Sequence, residues 1–146
     1  MILKLTPNTH PILHERVKPC SKDLDRPEMS RILKENMTHY EGVGLSANQI
    51  GIDERVFIMM LNMETEETIT CFNPRIIKRY EDDVWCEEGC LSFPDEIINI
   101  QRPNRIVVKY EDEDKKDHKI KLDGLAARVF LHEYDHLQGI VFTERQ

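Results

Sequence analysis

The chain has 146 residues, 40% hydrophobic and 32% charged, which suits one domain with a single core. Its formal net charge of −7 argues against phosphate-backbone binding as the main activity, because that requires clustered Lys and Arg. No apolar run reaches bilayer length, and residues 1–7 are too short and too soon interrupted by Pro7 for a signal peptide, so a cytoplasmic protein with no membrane or nucleic-acid partner is expected.

The first 20 residues carry Pro and His without periodicity and read as an extended arm wrapped on the domain. Asp25 is a candidate N-cap, and Pro27 falls in the first turn, where a missing N–H costs little. Met29, Ile32, Leu33 and Met37 then follow helical spacing up to a stop at Gly42. This predicts a helix over 26–40 with its Met and Leu stripe in the core. Gly42-Val43-Gly44-Leu45-Ser46-Ala47-Asn48-Gln49-Ile50-Gly51 reads as a small-residue loop with one long amide, Gln49. Segments 55–61 and 69–80 are β-rich and joined by the acidic turn Glu64-Thr65-Glu66-Glu67. Another strand pair, 105–110 and 119–122, flanks the solvated charge run 111–117. Asp123 is expected to cap a second helix over 124–137, with Gly139 just beyond its end. No repeat, low-complexity tract or linker divides the chain, so one domain spans 1–146. The expected fold class is α+β, with antiparallel β-sheets packed around the late helix. That helix offers Leu125, Val129 and Leu137 as apolar positions and is expected to be buried, with its histidines turned to a cleft.

The late helix carries His132-Glu133-Tyr134-Asp135-His136. Four-residue spacing stacks both imidazoles on one face, one turn apart, where they can grip one divalent metal. Glu133 lies beside them, placed to handle a proton on a water that the metal activates. A catalytic site of this kind takes three protein ligands and leaves one position open. A third histidine six residues after His136 is excluded, because that place holds Phe142, and Glu144 is nearly terminal. The third ligand therefore comes from upstream. Cys90, in Glu87-Glu88-Gly89-Cys90-Leu91-Ser92, is the best candidate, since a thiolate is a strong ligand and Gly89 permits close backbone approach. Cys86 is its rival, while Cys20 and Cys71 read as packing residues; four scattered cysteines do not suggest a disulfide framework.

Three motifs, Gly42-Val43-Gly44-Leu45-Ser46-Ala47-Asn48-Gln49, Glu88-Gly89-Cys90-Leu91-Ser92 and His132-Glu133-Tyr134-Asp135-His136-Leu137-Gln138-Gly139, resemble the ordered signatures of peptide deformylases. The resemblance extends over essentially the whole chain. It implies removal of the formyl group from the N-terminal methionine of nascent polypeptides, using one divalent metal that is natively Fe²⁺, with Zn²⁺, Ni²⁺ or Co²⁺ able to replace it. By the same resemblance, Cys90, His132 and His136 are the ligands and Glu133 is the general acid–base. Gln49 and the backbone N–H of Leu91 would hold the carbonyl oxygen. Val43, Gly44 and Val129 would border the methionine pocket, with Glu88 near the bound peptide and Asp135 paired with Arg102. Leu131 stands where glutamine is common, and Ser46 where alanine is usual. The chain ends soon after the third motif, so a minimal, monomeric member is expected, without the C-terminal ribosome-docking helix and of the kind some bacteriophages encode.

Two other activities are consistent with parts of this pattern. A zincin-type metallopeptidase would share the histidine pair, but the missing downstream ligand argues against it. A non-catalytic binder of nascent N-termini would be expected to have lost the glutamate or a ligand, and none is missing. A structural metal site would normally fill all four positions with Cys or His.

Overall fold

The computed structural model describes residues 1–146. Helix α1 spans Arg26–His39. Its start follows the sequence: the Asp25 carboxylate accepts the Glu28 backbone N–H at 3.1 Å, with Pro27 in the first turn. Its end does not. Glu41 rather than Gly42 takes the left-handed backbone (φ 57°), and the N–H groups of Glu41 and Gly42 return to the carbonyls of Thr38 and Met37. A Cβ at Gly42 would instead crowd Leu91 Cδ1 at 2.8 Å and the Gly44 carbonyl oxygen at 3.2 Å.

Seven strands follow: β1 (Gly44–Ser46), β2 (Val56–Asn62), β3 (Glu67–Arg79), β4 (Asp83–Cys90), β5 (Phe93–Pro103), β6 (Arg105–Glu111) and β7 (Asp117–Asp123). Five form one antiparallel sheet in the order β1-β2-β3-β6-β7, while β4 and β5 pair in a separate hairpin. Helix α2, Gly124–Leu137, follows β7 directly. Strand alternation divides the core between the two helices. Val56 and Ile58 of β2 join Met29, Leu33 and Met37 of α1, whereas Phe57 and Met59 turn to Ala127, Phe130 and Leu131 of α2. Burial on both faces explains why β2 reads as a continuous apolar run. Phe57 and Phe130 meet edge to face, with ring centroids 5.1 Å apart.

The structure bears out the α+β class, and α2 occupies the middle of the molecule. It touches β1, β2, β5, β6 and β7, and all residues from Ala127 to Leu137 except Tyr134 are buried. Two details of α2 differ from expectation. Asp123 makes no side-chain capping bond; Gly124 (φ 55°) instead donates its N–H to the Asn104 carbonyl. Leu125 is 54% exposed because it lies on the rim of a cleft rather than in the core.

The N-terminal arm wraps as expected, broken only by a 3-10 turn at Pro11–His14. Val17 donates its N–H to the Leu137 carbonyl, and Arg55 donates to both Val17 and Leu137 carbonyls. A cation at the C-terminal end of α2 thus fastens arm, sheet and helix together. No helix is long and apolar enough to cross a membrane.

Candidate active site and metal centre

Helix α2 presents His132 and His136 one turn apart, with ring centroids 5.1 Å from each other. The β4–β5 hairpin brings Cys90 to the same point, through a register shift between Gly89 and Cys90 that re-aims the end of β4. One ligand atom from each of Cys90, His132 and His136 lies within 4.8 Å of the others, and Cys90 Sγ is 3.4 Å from His136 Nε2. Metal–sulfur and metal–nitrogen bonds of about 2.3 and 2.1 Å at a tetrahedral angle would set those two atoms about 3.6 Å apart, so the donor set fits a single ion. Cys86 is exposed and stands outside this group.

The imidazoles are prepared for that task. Glu88 Oε1 lies 3.0 Å from His132 Nδ1, and a carboxylate accepts only, so Nδ1 carries a proton and Nε2 is the nitrogen left to serve as a ligand. Burial opposes a charge on His132, yet contacts with Cys90 and Glu88 outweigh it and lift its pKa to about 10. Without a metal the ring therefore favours its protonated form, and a divalent cation would have to displace the Nε2 proton to bind there. Burial pushes His136 well below the usual histidine range and keeps it neutral. Asn48 donates to the His136 carbonyl at 2.7 Å, tying the first motif to the helix that carries the ligands.

Glu88 lines the cleft, as expected of a residue near the peptide, but both its oxygens are already engaged. Arg102 reaches them at 2.6 and 3.0 Å, Arg128 bonds one, and His132 the other. Burial raises its pKa, but the bonds from His132 and Arg102 prevail and hold it at about 2. Its geometry is that of a brace for His132. Arg102 also pairs with Asp135 at 2.9 Å, as the resemblance implied, and Arg145 grips both oxygens of Asp135.

Glu133 is buried, and its Oε1 has no hydrogen-bond partner. Burial pushes its carboxyl up to about 7. A carboxyl in that range can both take and return a proton near neutral pH. Gly44 backs it: a Cβ at that position would lie 2.7 Å from Glu133 Oε2. Gln49 is equally close to the centre, its Nε2 3.7 Å from Cys90 Sγ. Val43, Gly44, Gln49, Glu88, Leu91 and Val129 all border one cleft of about 600 Å³ that also reaches Cys90, His132 and Glu133. Every site residue expected from the sequence is thus gathered in one place. Sequence reasoning missed Arg128, Arg145, Ser92 and Asn48. Asn48 and Ser92 lie inside the first two motifs without an expected role, and Arg128 left a signal as a lone charge inside the apolar run Ala126-Ala127-Arg128-Val129-Phe130.

The profile of the polypeptide deformylase family matches residues 2–146. The chain belongs to this family. A peptide deformylase from Thermotoga maritima is 40% identical over 136 residues, covering 92% of this chain and 81% of that protein. Among solved structures, a probable peptide deformylase from Synechococcus phage S-SSM7 superposes with a TM-score of 0.89 at 37% identity, covering 99% of each chain. A Met-Ala-Ser-bound class I type b peptide deformylase from Acinetobacter baumannii gives 0.91 at 29% identity, covering 100% of this chain and 99% of that one. The chain therefore shares its whole fold with members of the family that differ widely in source.

Proposed function

We propose that the chain removes the formyl group from the N-terminal formyl-methionine of nascent polypeptides and releases formate, with Cys90, His132 and His136 holding one divalent cation, natively Fe²⁺. The observation that carries this reading is the meeting of one sulfur and two imidazoles beside the buried, unpartnered carboxylate oxygen of Glu133. A divalent cation there supplies Lewis acidity, polarising a carbonyl and lowering the pKa of water toward neutrality. Glu133 takes the proton from the attacking water and delivers it to the leaving amine. Gln49 Nε2 and the Leu91 N–H donate to the oxygen of the formyl carbon as charge develops on it. Donors already in place need no rearrangement, and losing one typically costs about 2.7–4 kcal/mol of transition-state stabilisation.

The cleft suits an extended peptide. One wall ends in β1 and the other in β4, each an edge strand whose outer backbone groups have no sheet partner. A chain lying between them can add hydrogen bonds to either edge. Val43, Leu91, Leu125 and Val129 supply an apolar border, which matches the flexible, polarisable methionine side chain. That the Acinetobacter relative binds Met-Ala-Ser supports a peptide beginning with methionine as this chain's ligand. The buried floor at Glu133 favours a carbonyl carbon bearing only hydrogen over bulkier acyl groups.

The test is formate release from a formyl-Met peptide by protein loaded with Fe²⁺, Ni²⁺ or Co²⁺. Metal-dependent release is expected, and Glu133→Ala should abolish turnover while the metal remains bound. Absence of metal-dependent release would reject the reading, and internal cleavage of unformylated peptides would point to a metallopeptidase.

A further inference from the structure

An amide side chain can serve as an oxyanion donor only if its nitrogen, not its oxygen, faces the reacting atoms. The two ends of Gln49 are nearly the same size, so shape alone does not choose between them. Hydrogen bonds do. Gln49 Oε1 lies 3.0 Å from the Ser46 backbone N and 3.0 Å from Ser46 Oγ. Carbonyl oxygen only accepts, so the Ser46 hydroxyl spends its proton here. At the other end, Gln49 Nε2 donates to Ser92 Oγ at 3.0 Å. The Gln49 backbone carbonyl is itself fixed by the Thr6 N–H at 2.7 Å. Ser46, Gln49 and Ser92 are all buried, so water cannot readily substitute for a lost partner.

Turning the amide over would set Nε2 against the Ser46 N–H, two donors face to face, and Oε1 against the Cys90 sulfur. The first contact is unfavourable, and so is the second when the sulfur is a thiolate, so the Ser46 N–H sets the orientation; the Ser46 hydroxyl adds a second bond to Oε1 that restrains the amide there. We propose that Ser46 Oγ is a positioning group that immobilises the Gln49 amide, which the Ser46 N–H orients with Nε2 toward the centre, and that it acts on turnover only through Gln49. The kinetic half of this proposal rests on the oxyanion role assigned to Gln49 above.

The experiment uses Ser46→Ala, which deletes one oxygen, in the wild-type background and in Gln49→Ala. In the wild-type background kcat for formyl-Met peptide should fall about three- to tenfold, the range of one intramolecular hydrogen bond, with KM unchanged. In the Gln49→Ala background the same substitution should change kcat less than about twofold. Independently of activity, nitrogen-15 NMR should show the Gln49 side-chain amide protons exchanging with solvent at least tenfold faster in Ser46→Ala. Equal kcat losses in both backgrounds would overturn the proposal, as would unchanged exchange. A wild-type protein that releases no formate would refute the deformylase reading, and the exchange comparison would still decide the lock.

Discussion

Replacing Gly44 with alanine tests how tightly the general acid–base is held. Gly44 lies in β1 opposite Met59 with no left-handed backbone, so alanine is compatible with its conformation. The new methyl carbon would fall 2.7 Å from Glu133 Oε2, 3.0 Å from Glu133 Cγ and 3.1 Å from Glu133 Cδ. The carboxylate must then retreat about 0.7 Å, from 2.7 Å to the 3.4 Å where ordinary contact begins. Glu133 is buried within α2 and cannot swing into solvent. Misplacing a catalytic group by about 1 Å costs on the order of 100-fold in rate, so Gly44→Ala should lower kcat by roughly 30- to 100-fold. The three atoms nearest the added methyl all belong to Glu133 rather than to Cys90, His132 or His136, so bound metal should remain at one equivalent. The assay is formate release under saturating substrate, with metal content measured on the same sample. A kcat within threefold of wild type would refute the claim that Gly44 sets the position of Glu133.

Acid stability should report on Glu88. Its folded pKa of about 2 lies below the ordinary 4.5, so its contribution is present above pH 4.5 and is lost as pH falls toward 2. The linked free energy is roughly 3 kcal/mol. Denaturant melts between pH 5 and pH 2 should show that loss in the wild type and a flatter profile in Glu88→Gln; parallel profiles would contradict it. Cysteine substitution should separate the two thiols of β4. Cys90→Ser is expected to lose most of its metal by elemental analysis, whereas Cys86→Ser, altering an exposed side chain, should keep one equivalent and full activity. Retained metal in Cys90→Ser would remove the sulfur from the ligand set.

Much of this architecture is legible in the residues themselves, and the exceptions have physical causes. Helix α2 was readable over its full length because its apolar positions, its histidine pair and Gly139 agree with one another. Strands β2, β3 and β6 carry β-branched or aromatic runs, and β7 alternates Lys119, Ile120, Lys121 and Leu122. The β4–β5 hairpin escapes the same reasoning because Val84, Trp85, Cys86 and Glu87 are all exposed, leaving no alternation to detect. In β5 the outward Ile97 stands beside the inward Ile98 and blurs the period of two. Strand β1 is three residues long, too short for any periodic signal. The proposed histidine ligands and Glu133 were legible because chemistry restricts such groups to a few residue types at fixed spacings, whereas spacing alone left Cys86 as a rival to Cys90. Their supports were not, since Arg128 and Arg145 reach Glu88 and Asp135 across 40 and 10 residues of sequence.

Those supports decide whether the centre assembles at all. Two of the proposed ligands ride on α2 and the third on a hairpin that belongs to a different sheet. Nothing in the main sheet's hydrogen bonding fixes the hairpin against the helix. Arg102, on β5, bonds Glu88 on β4 and Asp135 on α2, while Arg128, on α2, donates to the Val84 and Ile100 carbonyls of the hairpin and to Glu88. Buried ion pairs contribute modestly to stability, but removing one partner leaves an uncompensated charge at a cost of about 3–5 kcal/mol. Such a clamp is sensitive to geometry rather than to overall burial. The convergence of Cys90 with His132 and His136 is therefore enforced by charged groups that touch no metal, and loss of Arg102 should weaken metal binding before it unfolds the domain.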